Sequence, residues 1–427
     1  TAGGRFAINS STGELTVANG SLLNYEAATS HTVTVRVTDS GGLTYDETFT
    51  INLTNVNESP TGADVTITLT EDMAHTLTAA NFGFSDVDAG DSLSAVCIDT
   101  VPTAGTLTLS GVGVTAGQVV TVADLTVGNL VFTPAANATG TGYASLTFSV
   151  RDSSNAYDAA PNTLTVDVTA QNDAPTDLAL SANTVAENAV NGTVVGTVSG
   201  TDPDTGDTKT YSLTDTAGGR FAINSSTGAL TVANGSLLNY ESATSHTVTV
   251  RVTDSGGLTY DETLTINLTN VNEAPTGADA TITLTEDTVH TLTTADFGFS
   301  DVDAGDSLSA VRIDTLPGAG SLTLSGVGVT AGQVVTAADI TAGLLVFTPA
   351  ANATGMGYAT VTFSVRDSST YDSAPNTLTV NVTAVNDAPT LAADTGSTVA
   401  EGGTDSIDSS ELAVTDVDTN EAQLTYT

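Results

Sequence analysis

The stretch "HTVTVRVTD", residues 246–254, decides the fold. Val248, Val250 and Val252 fall on one side of an extended chain, with threonines and Arg251 on the other. A two-residue period of β-branched residues marks a strand buried on one face. "LTINLTNV" (264–271), "LTLSGVGV" (107–114) and "ATVTFSVRD" (359–367) alternate in the same way, and turns such as "NSSTG" and "DSGG" separate them. Short strands at regular spacing, without helical periodicity, predict an all-β chain of antiparallel Greek-key sandwiches.

The same stretch occurs twice. Residues 1–57 and 216–272 differ only at Glu14/Ala229, Ala27/Ser242 and Phe49/Leu264, and the similarity runs on with a period of about 215 residues. Each period is cut by a recurring phrase: "NVNESP" (55–60), "QNDAP" (171–175), "NVNEAP" (270–275) and "VNDAP" (385–389). Proline there cannot donate to a ladder and keeps its predecessor extended, which suits a short stiff linker. The expected modules are 1–57 (the back half of a shorter module), 58–173 (a longer module), 174–272 (a complete shorter module), 273–387 (a longer module) and 388–427 (the front half of a shorter module). The chain opens in mid-pattern, with no basic-then-apolar leader, and is read as a window of a longer chain.

Charge is the second strong signal. The 427 residues hold 49 Asp plus Glu against 8 Lys plus Arg, a net charge of −41. Such a polyanion is no partner for nucleic acid or anionic membrane, and no run is long enough to span a bilayer. In "FSDVDAGDS" (84–92), Asp86, Asp88 and Asp91 crowd together. Two carboxylates about 4 Å apart repel by roughly 4 kcal/mol at an effective dielectric near 20. The acids also keep a fixed spacing: Glu71 before Asp86 and Asp88, Glu187 before Asp202 and Asp204, Glu286 before Asp301 and Asp303, Glu401 before Asp416 and Asp418. The linkers add Asn57 and Glu58, Asn172 and Asp173, Asn272 and Glu273, Asn386 and Asp387, and strand ends add Asp39, Asp152, Asp254 and Asp367. Turn formation alone accounts for an isolated Asp pair, but not for this spacing. Many oxygen donors without His or Cys select a hard cation, and a carboxylate-rich site favours Ca2+.

On these motifs the shorter module resembles a cadherin-type repeat: "AEN" with Glu187, "DPDTGD", "GRFAINSSTGAL", "LNYE" ending in Glu241, "VRVTD" and "NVNEAP". The longer module, with "GTLTLSGVGVTAGQVVTVADLTVGNLVFTPAAN" (105–137), is similar to the cadherin-like repeats of proteoglycan type in large bacterial surface proteins. The resemblance implies several calcium ions at each junction. Near 57 their ligands are Glu26, Asn55, Asn57, Glu58, Asp86, Asp88 and Asp152; near 272 they are Glu187, Glu241, Asn270, Asn272, Glu273, Asp301, Asp303 and Asp367. Near 173 it implies Glu71, Asn172, Asp173, Asp202, Asp204 and Asp254, and near 387 Glu286, Asn386, Asp387, Asp416 and Asp418. Two departures stand out. "LNYE" has Asn24 and Asn239 where the family usually has Asp, and the longer module has "FTPAANATG" where a second Glu belongs. Junctions near 173 and 387 are therefore expected to hold fewer or looser ions.

Catalysis finds little support. His31 and His246 are copies of one position, His75 and His290 of another, with no ligand or triad partner at suitable spacing. "GVGVTAG" reads as a hairpin, since no helix is expected after it. Cys97, the only cysteine, has Arg312 as its counterpart and reads as a chance thiol. The sequons at Asn52 and Asn267 fit an exported chain. The reading is a non-enzymatic, calcium-stiffened extender of a secreted bacterial adhesin or surface filament, roughly 160 Å of rod by strand rise. Its partners are calcium, neighbouring copies of the repeat and a host or matrix ligand at a tip elsewhere. The alternative is a module that itself binds a glycan or protein, which 5% aromatic content and no Trp do not favour.

Overall fold

The computed structural model describes residues 2–420, 423–425 and 427; the parts of the terminal half-modules at Thr1, Glu421, Ala422 and Tyr426 lie outside the described residues. The chain is a series of β-sandwiches. In residues 58–173 a five-stranded sheet runs in the order 118–121, 95–100, 140–151, 162–169, 65–70, its last pair parallel and the others antiparallel. A second sheet orders 75–76, 130–133, 106–109 and 112–113. The alternation read from sequence places Ala144, Leu146, Phe148 and Val150 in the core, where Phe148 meets Phe82 edge-on with centroids 4.9 Å apart. Residues 273–387 repeat both sheets and the Phe297–Phe363 contact at 4.9 Å.

Within 174–272, Val194–Thr201 and Phe221–Ile223 flank Ala229–Val232 in antiparallel pairing, and Thr184–Ala186 runs parallel to the end of Thr259–Thr269. Val248, Val250 and Val252 are fully buried, as their period requires. In residues 2–57 the long hairpin Ser30–Thr38/Thr44–Asn52 and the pair Phe6–Ile8/Leu15–Val17 form, and Thr390–Asp394 pairs with Leu412–Thr415.

The sequence reading missed two short helices, Val122–Val127 and Ala337–Thr341. Neither is long enough to show a 3.6-residue period. Each is made by local capping: Thr121 Oγ1 accepts the Asp124 N–H and Thr336 Oγ1 the Asp339 N–H. Gly128, at φ 82°, ends the first in a left-handed turn. The hairpin before the first helix is as expected, Thr106–Leu109 with Val112–Gly113. No helix of the described residues is long and apolar enough to cross a membrane.

By compactness the chain divides into two units. One is Thr1–Leu178 with Gly200–Lys209 and Val252–Tyr260; the other is Ala179–Ser199, Thr210–Arg251 and Asp261–Thr427. The acid clusters near 57 and 173 lie wholly in the first, those near 272 and 387 wholly in the second.

Candidate metal centres

The four clusters share a core set of hydrogen bonds, and the linker peptide is its hub. The second Asp of the pair accepts a linker N–H through Oδ2: Asp88 from Glu58 (2.8 Å), Asp204 from Asp173 (2.7 Å), Asp303 from Glu273 (2.8 Å), Asp418 from Asp387 (2.6 Å). The first Asp turns Oδ1 back to the N–H of the second: Asp86 to Asp88, Asp202 to Asp204, Asp301 to Asp303, Asp416 to Asp418. The linker amides reach the strand-end acids, Asn57 to Asp152 (2.9 Å), Asn172 to Asp254 (2.9 Å) and Asn272 to Asp367 (3.0 Å). Asn55 and Asn270 each donate to Oδ1 of Asp88 and Asp303 at 2.8 Å. Asn386 bonds to the Asp387 carbonyl.

Three of the four early glutamates are core residues, whereas Glu401 is exposed. Glu71, Glu187 and Glu286 are 2 to 4% exposed, and each accepts through Oε1 the N–H of the residue before the linker Asn, namely Gln171, Val271 and Val385. Glu187 Oε2 also takes the N–H of Tyr240, which sets the neighbouring Glu241 at the rim. Carboxylate oxygens converge within 4.8 Å in Glu26/Glu58/Asp88, Glu71/Asp173/Asp204 and Glu187/Glu241/Glu273. Asp86/Asp88/Asp91 and Asp202/Asp207/Asp254 do the same. Asp91 and Asp207 were not among the sequence-derived ligands, although each follows the first Asp of its pair at the same spacing, as does Asp306.

The donor set fits a cation. Oδ2 of Asp86, Asp202, Asp301 and Asp387 and Oε2 of Glu273 have no exposed surface and no hydrogen-bond partner. A buried anionic oxygen without a donor is costly unless something positive meets it. The electrostatics agree. Burial, then Glu26 and Asp88, pushes the Glu58 carboxyl up, and burial, then Glu187, does so for Glu273. Asp173 is raised by burial and then Asp72, Asp387 by burial and then Asp287. Asp88 is held low by the Asn55 amide and the Glu58 N–H. Burial alone would raise Asp367, but hydrogen bonds from Asn272, Thr370 and Ser369 outweigh it and hold it well below the usual range.

The residue after each of Glu71, Glu187 and Glu286 is exposed. Asn188, Asp72 and Asp287 all have left-handed backbones, φ 52°, 59° and 58°. Asn188 Nδ2 donates to Glu273 Oε1 at 2.9 Å. Asp72 and Asp287 accept, through Oδ1, the N–H of Asn137 and Asn352 at 3.0 Å. The Asn137 amide lies between Asp72 and Asp173: as placed its oxygen faces only carboxylate oxygens, and turned over it would donate to Oδ2 of both at 3.3 Å.

The histidines pack. His31 and His246 lie beside Phe6 and Phe221, with ring centroids 6.3 and 6.5 Å apart. His290 does have a carboxylate near it, Asp296 at 3.7 Å, which the sequence reading did not foresee.

A cadherin-domain family model matches residues 182–269. Human cadherin-related family member 2 is 39% identical over 94 residues, which is 21% of this chain and 7% of that protein. The fold is similar to the protocadherin gammaB4 extracellular domain (TM-score 0.58, 18% identity, 90% of this chain and 60% of that one). It is also similar to protocadherin gamma B2 extracellular cadherin domains 1–5 (TM-score 0.54, 16% identity, 90% and 72%). Residues 182–269 thus match a cadherin domain and the fold of the chain is like that of tandem cadherin domains; the chain spans under two thirds of the first of these structures and a small part of the curated relative.

Proposed function

We propose that this segment is a calcium-stiffened spacer in a secreted or cell-surface adhesion protein, of the kind built from long repeat arrays on bacterial surfaces. The observation that carries the reading is the buried, partnerless carboxylate oxygen repeated at the linkers, on Asp86, Asp202 and Asp301. Calcium accepts six to eight oxygens in flexible geometry. Near 272 these would come from Glu187, Glu241, Glu273, Asp301, Asp303 and Asp367, with Asn270 holding Asp303 and Asn272 holding Asp367 in place. Bound calcium supplies the positive charge these carboxylates lack; without it their repulsion opens the linker.

The near-identity of 1–57 and 216–272 supports a part whose property is length, since a ligand-reading surface would vary between copies. Small-angle scattering tests the reading. In millimolar calcium the chain should show one well-defined maximum dimension, and in chelator a broad distribution. Identical scattering in both would overturn it.

A further inference from the structure

The longer modules lack the rim glutamate that Glu241 supplies to the shorter one, and sequence alone predicts a weaker junction after them. In those modules another acid stands near the linker. In the shorter module the residue after the buried Glu187 is Asn188, a neutral donor bonded to the linker Glu273, and the rim charge is Glu241. In the longer modules the same left-handed position is Asp72 or Asp287, and no Glu stands at the rim. Asp72 is fixed by the Asn137 N–H, and the Asn137 amide, turned over, would donate to Oδ2 of both Asp72 and the linker Asp173 at 3.3 Å. The loop "TPAAN" (133–137), which stands where the shorter module has its glutamate-bearing segment, therefore holds Asp72 in place. In the second longer module the Asn352 N–H holds Asp287 in the same way, and Asp287 acts electrostatically on the linker Asp387.

Two further observations point to a ligand there. Glu71 and Glu286 are almost wholly buried, and each spends only Oε1 on a backbone N–H, where Glu187 has both oxygens capped. Asp387 Oδ2 is buried with no partner at all.

We infer that Asp72 and Asp287 are calcium ligands of the junctions near 173 and 387, taking the role of Glu241, so that the two module types carry the same ligand charge by an exchange between two positions. The inference rests on the calcium reading above. It makes the junctions after the longer modules comparable in affinity to the one near 272.

The test counts calcium on the whole chain by isothermal titration with elemental analysis. D72N/D287N should lose ions or weaken their binding at least about tenfold, while the charge-matched control D177N/D394N, at exposed strand positions, should match the unaltered chain. In the shorter module E241Q should weaken binding, and E241Q/N188D should recover it. Circular dichroism in chelator confirms that each variant folds. Saturable binding by the unaltered chain with D72N/D287N equal to the control would overturn the inference alone, as would failure of N188D to rescue. No saturable calcium binding by the unaltered chain would overturn the calcium reading and this inference with it.

Discussion

At the residue scale the first Asp of three of the four pairs, Asp86, Asp202 and Asp301, keeps a buried oxygen that the protein itself leaves unsatisfied. Asp301 spends Oδ1 on Asp303 and leaves Oδ2 buried and alone. An amide there would put a donor among carboxylates and remove a charge. Asp301→Asn should therefore melt no lower than the unaltered chain in chelator and lower than it in calcium; calorimetry in both conditions checks this, and a lower midpoint in chelator would refute it. These acids were legible in the sequence because the Glu-to-Asp spacing recurs, and Asp91 and Asp207 share that regularity. Asp72 was not legible. It sits where the shorter module has Asn188, and only the left-handed turn shows that this position faces the linker.

Cys97 and Arg312 give a second residue-scale case. Arg312 pairs with Asp314 at 2.5 Å and lies over the Tyr371 ring at 4.7 Å; Asp99 and Tyr157 are the counterparts around Cys97. Burial, then Asp99, pushes the Cys97 thiol up, so it is a poor nucleophile. Cys97→Arg should restore the pair, and because the site is partly exposed the gain should be about 1 kcal/mol or less. Denaturant unfolding in calcium measures it, and a loss of stability would count against the equivalence of the two sites.

At the element scale the strands were readable because their two-residue period is long enough to count, whereas the capped helices at Val122–Val127 and Ala337–Thr341 were not. The linkers were readable as phrases, but their role as hydrogen-bond hubs appears only when the backbone N–H groups of Glu58, Asp173, Glu273 and Asp387 are seen to hold the Asp pairs. The linker acids carry a pH signature. Glu58, Asp173, Glu273 and Asp387 all have carboxyls raised by burial and by neighbouring acids. A raised carboxyl binds more protons folded than unfolded, so its effect is a loss of stability as pH rises through the folded value. Asp88 and Asp367, held low, contribute stability that is lost only at more acid pH. In chelator the melting temperature should therefore rise as pH falls from neutral to mildly acid, since the raised groups take up protons first. In calcium the trend should reverse, because protons then compete with the ion for the same oxygens. Scanning calorimetry at both pH values, with and without chelator, checks the sign, and parallel trends in the two conditions would refute it.

At the scale of the whole molecule the near-identical copies permit an internal comparison. Val17 is 55% exposed and Val37 64%, yet their counterparts Val232 and Val252 are 1% and 0% exposed. Ile8 and Phe49 are exposed on the same copy, and Ile8, Val35, Val37 and Phe49 line one open hollow together with polar residues such as Asn9, Ser10 and Arg36. With three sequence differences between the copies, the contrast comes from what covers the face. The complete module has residues 174–215 ahead of the shared text, and within that stretch Val195 and Val198 are buried. Residues 388–427 resemble the front of this stretch; with residues 1–57 they make 97 residues against 99 in the complete module. We therefore propose that residues 1–57 complete a sandwich when a segment of this type precedes them. Joining a copy of residues 174–215 ahead of the chain should bury Val17 and Val37 as in the complete module. Fully burying a valine stabilises by about 1.5 to 3 kcal/mol. Amide exchange at Val33, Val35 and Val37 should slow to the level of Val248, Val250 and Val252. Exchange left as fast as in the unextended chain would show that the exposed face is not the seat of a preceding half-module.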